Sequence, residues 1–138
     1  MRVITVTPGG RASDATDIFL GRAETQSVVG DEARDLRLTE VTFHDGARNR
    51  LHSHTTDQIL IITAGLGIVA TEAEEQEVTP GDVAFIPAGE RHWHGARPGQ
   101  DMTHWAITGA GKTFVASDDR SSARSARSAR SGPSERGR

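Results

Sequence analysis

Cysteine is absent from the chain, which removes disulfide scaffolds, thiolate zinc clusters and thiol catalysis. Tyrosine is absent too, so no phenol can serve as a catalytic acid. Long apolar runs are missing: the longest aliphatic stretch is Ile59-Leu60-Ile61-Ile62, whereas a membrane span needs about 20 apolar residues. The first residues, Met1 to Pro8, carry no long apolar core and no small-residue cleavage site. These absences lead us to expect a reduced, cytoplasmic protein that does not partner a membrane. At about 150 residues per domain, the 138 residues allow one domain.

The net charge of −3 hides an asymmetry. From Ser117 onward six arginines face three acidic residues, and Ser-Ala-Arg repeats three times between Ser122 and Arg130. Three alanine methyl groups cannot offset the backbone entropy of ordering that segment, at ~1–2 kcal/mol per residue. Residues 117–138 are therefore expected to be a disordered tail, either simply solvated or serving as an arginine hook for acidic partners. The first 116 residues carry a net −6, a poor balance for nucleic-acid binding.

Residues 1–33 are expected to form an N-terminal arm or edge strands, with short apolar runs at Ile18 to Leu20 and at Val28-Val29. Residues 34–116 form the expected barrel, and from Arg34 to Thr108 the pattern is β throughout. Strands are predicted at Arg37–Phe43, Leu51–His54, Gln58–Thr63, Ile68–Thr71, Val83–Ile86, His92–Ala96 and Met102–Thr108. Asp45-Gly46, Ala64 to Gly67, Glu72 to Glu77, Val78 to Asp82 and Pro87 to Glu90 read as turns. Short strands with turns every 8–12 residues or so indicate a sandwich or barrel, and no convincing helical periodicity interrupts them.

Five of the six histidines fall between residues 52 and 104. In a strand, residues i and i+2 share a face. His52 and His54 therefore share one face, His92 and His94 another, and His104 lies with Met102 and Ala106 on a third. Imidazole is the commonest metal ligand near neutral pH, so two His-x-His pairs in one small β domain point to a metal site. His44, beside the Asp45-Gly46 turn, reads as an ordinary turn residue.

Gly46, His52, His54, Gln58 and Gly65, followed by Gly81, Pro87, Gly89 and His92, stand at the spacings of the two cupin motifs. The chain resembles the cupins over roughly Arg34 to Thr108. Gln58 replaces the usual glutamate, and Ala96 replaces an asparagine. The resemblance implies an all-β, single jelly-roll barrel in which His52, His54, Gln58 and His92 converge on one divalent transition metal. The oxygen of Gln58 suits manganese, iron or nickel, with zinc as a further option, and the resemblance puts manganese first. Gly65 and Gly81 would permit positive-φ turns, and Pro87 would stiffen the turn that delivers His92.

Three neutral imidazoles and a neutral amide leave the site at +2, which favours Lewis-acid chemistry over redox cycling. His92 to Ala96 together with Met102 to His104 narrows the likeness to the small bacterial cupins that include manganese-dependent hydroxynitrile lyases. There the resemblance implies acid–base roles for His94 and His104 in splitting a cyanohydrin into HCN and an aldehyde or ketone. Each of the two could instead simply hydrogen-bond a neighbour. Asn49 stands where such relatives often place a small hydroxyl residue. A dioxygenase using iron and O₂, or a non-catalytic small-molecule binder, are the competing readings.

Arg50 reads as a solvated strand end, or as a contact for an anionic substrate. Only one of Phe85 and Ile86 can face inward. Trp93 and Trp105 have the opposite parity to their neighbouring histidines, which assigns them to the arm, a second subunit or the chain's own core. The expected partners are a small-molecule substrate and a second copy of the chain, as a homodimer or higher homo-oligomer.

Overall fold

Alternating side chains and frequent turn residues produce a β architecture in the computed structural model, which describes residues 1–117. The expected tail lies outside the described residues, apart from Ser117. The chain opens with a 3₁₀ turn at Pro8–Gly10. Thirteen strands follow among the described residues: β1 (Ala12–Ser13), β2 (Phe19–Leu20), β3 (Ala23–Val29), β4 (Leu36–Phe43), β5 (Arg48–Asn49), β6 (His52–His54), β7 (Gln58–Gly65), β8 (Gly67–Thr71), β9 (Glu75–Val78), β10 (Val83–Ile86), β11 (His92–Ala96), β12 (Met102–Gly109) and β13 (Thr113–Val115).

They form two antiparallel sheets. One has the order β1-β3-β4-β12-β7-β10. The other runs β13-β6-β11-β5-β2, and β8 also pairs with β11 and carries β9 on its far side. Two facing antiparallel sheets are the layered arrangement of a jelly roll. β11 is the hub of the second sheet: His92 pairs with His52 and Thr71, and Gly95 pairs with Arg48 and Ile68.

Local chemistry sets several boundaries. Asp45 and Gly46 both take positive φ, at 50° and 76°, and the Ala47 N–H closes on the His44 carbonyl at 3.0 Å. That geometry makes the tight hairpin-type turn that Asp-Gly favours. Gly65 ends β7 at φ 78°, where an added Cβ would sit 2.0 Å from the Asp101 carbonyl oxygen. No side chain fits that position.

The sequence reading places no strand at β13, which pairs with β6 beside the histidines, and it differs from the structure in two further places. Glu72–Glu77 reads as turn in the sequence, yet Glu75–Val78 is a strand paired to β8. Its acidic side chains are tolerated because β9 is an edge, where charge blunts unwanted pairing. Arg48 and Asn49, expected to precede the strand at Leu51, themselves form β5 between β2 and β11.

The largest core cluster gathers Ala23, Val41, Phe43, Ala47, Ile62, Ala96 and Met102 between the sheets. A smaller cluster holds Leu51, Ala70 and Trp93. Trp93 is therefore packed within its own chain, and the Arg48 guanidinium lies 3.5 Å from its ring centroid. Trp105 is half-buried, and its indole N–H points at Glu40 Oε2, 3.3 Å away. Ile86 is buried while Phe85 is exposed, as the parity argument requires.

Candidate metal centre and proton-transfer site

The functional side chains come from four strands on the two facing sheets. β6 supplies His52 and His54, β11 supplies His92 and His94, β7 supplies Gln58, and β12 supplies His104. The pairing of His92 with His52 sets the two His-x-His strands in register, so their rings meet. Ring centroids are 4.3 Å apart for His52 and His92, 4.9 Å for His52 and His54, and 5.4 Å for His54 and His92. One nitrogen from each of these three rings lies within 4.8 Å of the others.

Backbone carbonyls orient two of the rings. Nδ1 of His52 is 2.6 Å from the Arg50 carbonyl oxygen, and Nδ1 of His92 is 2.8 Å from that of Glu90. A carbonyl only accepts, so both Nδ1 atoms carry the proton and both Nε2 lone pairs are free to bind a cation. Nδ1 of His54 lies 2.9 Å from the Thr113 hydroxyl, while its Nε2 is buried with no hydrogen-bond partner among the described residues. Gln58 Oε1 is 3.0 Å from His92 Nε2, at the same focus.

An orphaned imidazole nitrogen, two pre-oriented lone pairs and an amide oxygen fit a divalent transition ion. Electrostatics agree. Burial, followed by the His92 charge, pushes His52 down to about 3, and the same causes push His54 down to about 4. Burial also lowers His92. All three imidazoles are neutral at neutral pH, the form a metal requires.

His94 and His104 form a second unit beside the first. Both are buried. Their rings lie 4.7 Å apart, with His104 Nε2 2.8 Å from His94 Nδ1. The His94 ring also stacks on His92, at 5.5 Å and 16° between planes. Phe43 packs edge-on against both His94 and His104, at 6.0 and 5.5 Å, and so ties the site to the core. Burial holds His104 down to about 4 and, together with the neighbouring His104, holds His94 well below its ordinary range.

Asn49, which the sequence marks only as a departure from the lyase-like relatives, contacts His94. Its Oδ1 accepts the His94 backbone N–H at 2.9 Å. Its Nδ2 is 3.4 Å from both ring nitrogens of His94, which places the amide against the ring face. Asparagine in a two-residue strand carries no sequence signal of this kind. The bond depends on β5 and β11 lying side by side.

Other expected positions fall outside the focus. The Arg50 side chain donates to the Asp17 carbonyl at 2.7 Å and so fastens the N-terminal segment, while its backbone carbonyl orients the His52 ring. His44 lies 2.7 Å from Glu24 Oε1 at the far turn. A cavity of about 430 Å³ opens beside the histidines, bounded by Phe19, Val41 and Ala106 and by several threonines.

Comparison with known proteins agrees with this arrangement. The Cupin domain family matches residues 39–108. Over 68 residues the chain is 50% identical to an (R)-mandelonitrile lyase of Granulicella tundricola, a match covering 49% of this chain and 52% of that enzyme. The chain thus spans about half the length of the curated relative it matches. A cupin-like protein of Thermotoga maritima superposes with a TM-score of 0.73 at 32% identity, over 76% of this chain and 84% of that one. The polyketide cyclase RemF of Streptomyces resistomycificus shares the fold, with a TM-score of 0.72 at 19% identity, over 86% of this chain and 89% of that one. Motif histidines gathered between two antiparallel sheets, within a family match spanning half the residues, establish that the chain belongs to the cupin family.

Proposed function

We propose that this protein is a divalent-metal-dependent lyase of the hydroxynitrile lyase type, with manganese as its preferred ion. The observation that carries the reading is the His94–His104 pair set directly beside a three-histidine, one-glutamine cluster. The 50% identity to a mandelonitrile lyase over the matched segment supports it.

His52, His54, His92 and Gln58 would hold the ion. When bound, the ion supplies Lewis-acid polarisation of a substrate oxygen. The chain's own residues account for the proton. Neutral His94 takes the hydroxyl proton of a cyanohydrin at Nε2, and the C–C bond to the nitrile breaks. The cyanide leaves with the bonding electron pair, and an aldehyde or ketone remains. His94 then returns the proton to cyanide, giving HCN. His104 accepts the Nδ1–H of the transient imidazolium and so stabilises it, while Asn49 holds the ring in place. The surrounding burial keeps His94 neutral at rest, the form that a base needs.

The test is release of benzaldehyde from mandelonitrile by manganese-loaded protein, compared with the same concentration of free manganese. We expect a rate well above free manganese that is lost in His94→Ala. No rate above free manganese would sink this reading.

A further inference from the structure

We propose that Arg37 reads a carboxylate on the substrate, so that the site takes small organic acids whose reacting hydroxyl or carbonyl sits at the opposite end. This rests on the metal-site reading above and specifies its substrate class.

The cavity beside the histidines also reaches Arg37. Inward-facing residues step along β12 as His104, Ala106 and Thr108. Across β4 they meet Val41, Thr39 and Arg37 in register. Thr108 also pairs with Gln58 of β7. Gln58, Thr108 and Arg37 therefore form one row across three strands. Two strand spacings separate its ends, about 10 Å between Cα atoms. A small bifunctional molecule spans the gap between an amide at one end and a guanidinium at the other.

Arg37 is prepared for that task. Its Nη1 donates to the carbonyls of Ala33 and Leu36, at 2.7 and 3.0 Å, which fixes the head group. Nε faces Asp31 Oδ1 at 3.6 Å, and that carboxylate is fully exposed. An exposed pair at this distance is weak and readily exchanged. Nη2 has no protein partner among the described residues. The hydroxyls of Thr39 and Thr108, which line the path from the metal cluster, likewise have none. With Nη2 open and Nε facing only an exchangeable carboxylate, the guanidinium suits bidentate carboxylate recognition.

The charge balance points the same way. Four charged side chains face the cavity: Asp14, Asp31, Arg37 and Lys112. They sum to zero, and Asp14 is already held by the Thr16 N–H and hydroxyl and by the Thr25 hydroxyl. A divalent ion on four neutral ligands then leaves the loaded cavity at +2, a field that favours an anionic substrate.

Calorimetry on manganese-loaded full-length protein tests this, with 4-hydroxybutanoate and neutral 1,4-butanediol as probes. We expect wild type to bind the acid about tenfold or more tighter than the diol. Arg37→Gln should bring the two together. Asp31→Asn, which alters only an exposed side chain, should tighten acid binding about threefold and leave the diol unchanged. Equal binding of acid and diol by wild type overturns the proposal. So does an acid preference unchanged in folded, metal-loaded Arg37→Gln, because the acid then sits on the metal alone. Cleavage of the cyanohydrins of 4-oxobutanoate and butanal separates the two proposals. An Arg37-dependent acid preference in binding, with neither cyanohydrin nor mandelonitrile cleaved, supports this proposal and ends the lyase reading. Equal cleavage of both by wild type and Arg37→Gln overturns this proposal and leaves the lyase reading standing.

Discussion

Nε2 of His104 lies 2.8 Å from Nδ1 of His94, and the other nitrogen of His104 is buried with no partner among the described residues. One proton must occupy the shared bond. If His104 donates it, its orphaned Nδ1 is a bare acceptor and His94 carries its own proton toward the cavity. If His94 donates it, Nε2 of His94 is a free base. In the second state His94 can take a proton at Nε2 and return it there while the shared proton stays in place.

His104→Phe preserves the ring packing against Phe43 but removes the partner of His94. We expect cyanohydrin cleavage to fall about 10²–10⁴-fold in kcat with metal content unchanged. Steady-state kinetics beside elemental analysis checks both. Unaltered kcat would mean that His104 serves packing alone.

Metal removal should lower stability, because three rings and an amide lose their common partner. At a free metal concentration one hundred times the dissociation constant, the bound ion adds about 2.7 kcal/mol. Differential scanning calorimetry before and after chelation should show a lower midpoint for the stripped protein. In His52→Ala, manganese should no longer raise the midpoint.

Replacing Gln58 by glutamate places a negative charge at the focus of three imidazoles. Manganese should bind more tightly, as read by competition with a chromogenic chelator. Cleavage should slow, because the ion's net charge falls. A variant that binds manganese more weakly would place the position 58 side chain outside the ligand set.

Acid should destabilise the metal-free protein well before its carboxylates titrate. His52, pushed down to about 3, and His104, pushed down to about 4, stay neutral in the fold but take up a proton near pH 6.5 when unfolded. Their contribution is complete above about pH 6.5 and is lost as pH falls toward 4 and then 3. Each such histidine contributes a slope of up to about 1.4 kcal/mol per pH unit in that window. Urea midpoints of chelated protein at pH 7.5, 6 and 5 should fall steadily. A flat series would contradict the neutral, buried histidines.

Asn49→Ala leaves the His94 backbone N–H without its acceptor in a buried strand. The expected cost is about 1–3 kcal/mol, measured by denaturant titration. Activity should fall further than stability, because the His94 ring also loses the amide packed against its face. A loss of activity no greater than the loss of folded protein would limit Asn49 to a structural role.

Much of the fold was legible because β structure has a period of two and its turns have characteristic residues. Asp45-Gly46 and Gly65 marked strand ends whose positive φ angles few other residues adopt. The strand at Glu75–Val78 was not legible, since acidic side chains on an exposed edge look locally like a loop. Trp93 had the right parity for an outward residue, but the second core cluster and the Arg48 guanidinium cover that side.

The sequence alone determined that His52 and His54 share a face, and likewise His92 and His94, because alternation along a strand is a local property. The cupin spacing added the expectation that these pairs meet with Gln58. Only the tertiary structure decided that His104 bonds His94, that Asn49 holds His94, and that Arg37 lies in one row with Gln58 and Thr108. Those relationships are set by which strands lie side by side or face to face, and in what register. That choice is made by burial of the whole core, not by any short stretch of chain, so no local pattern records it.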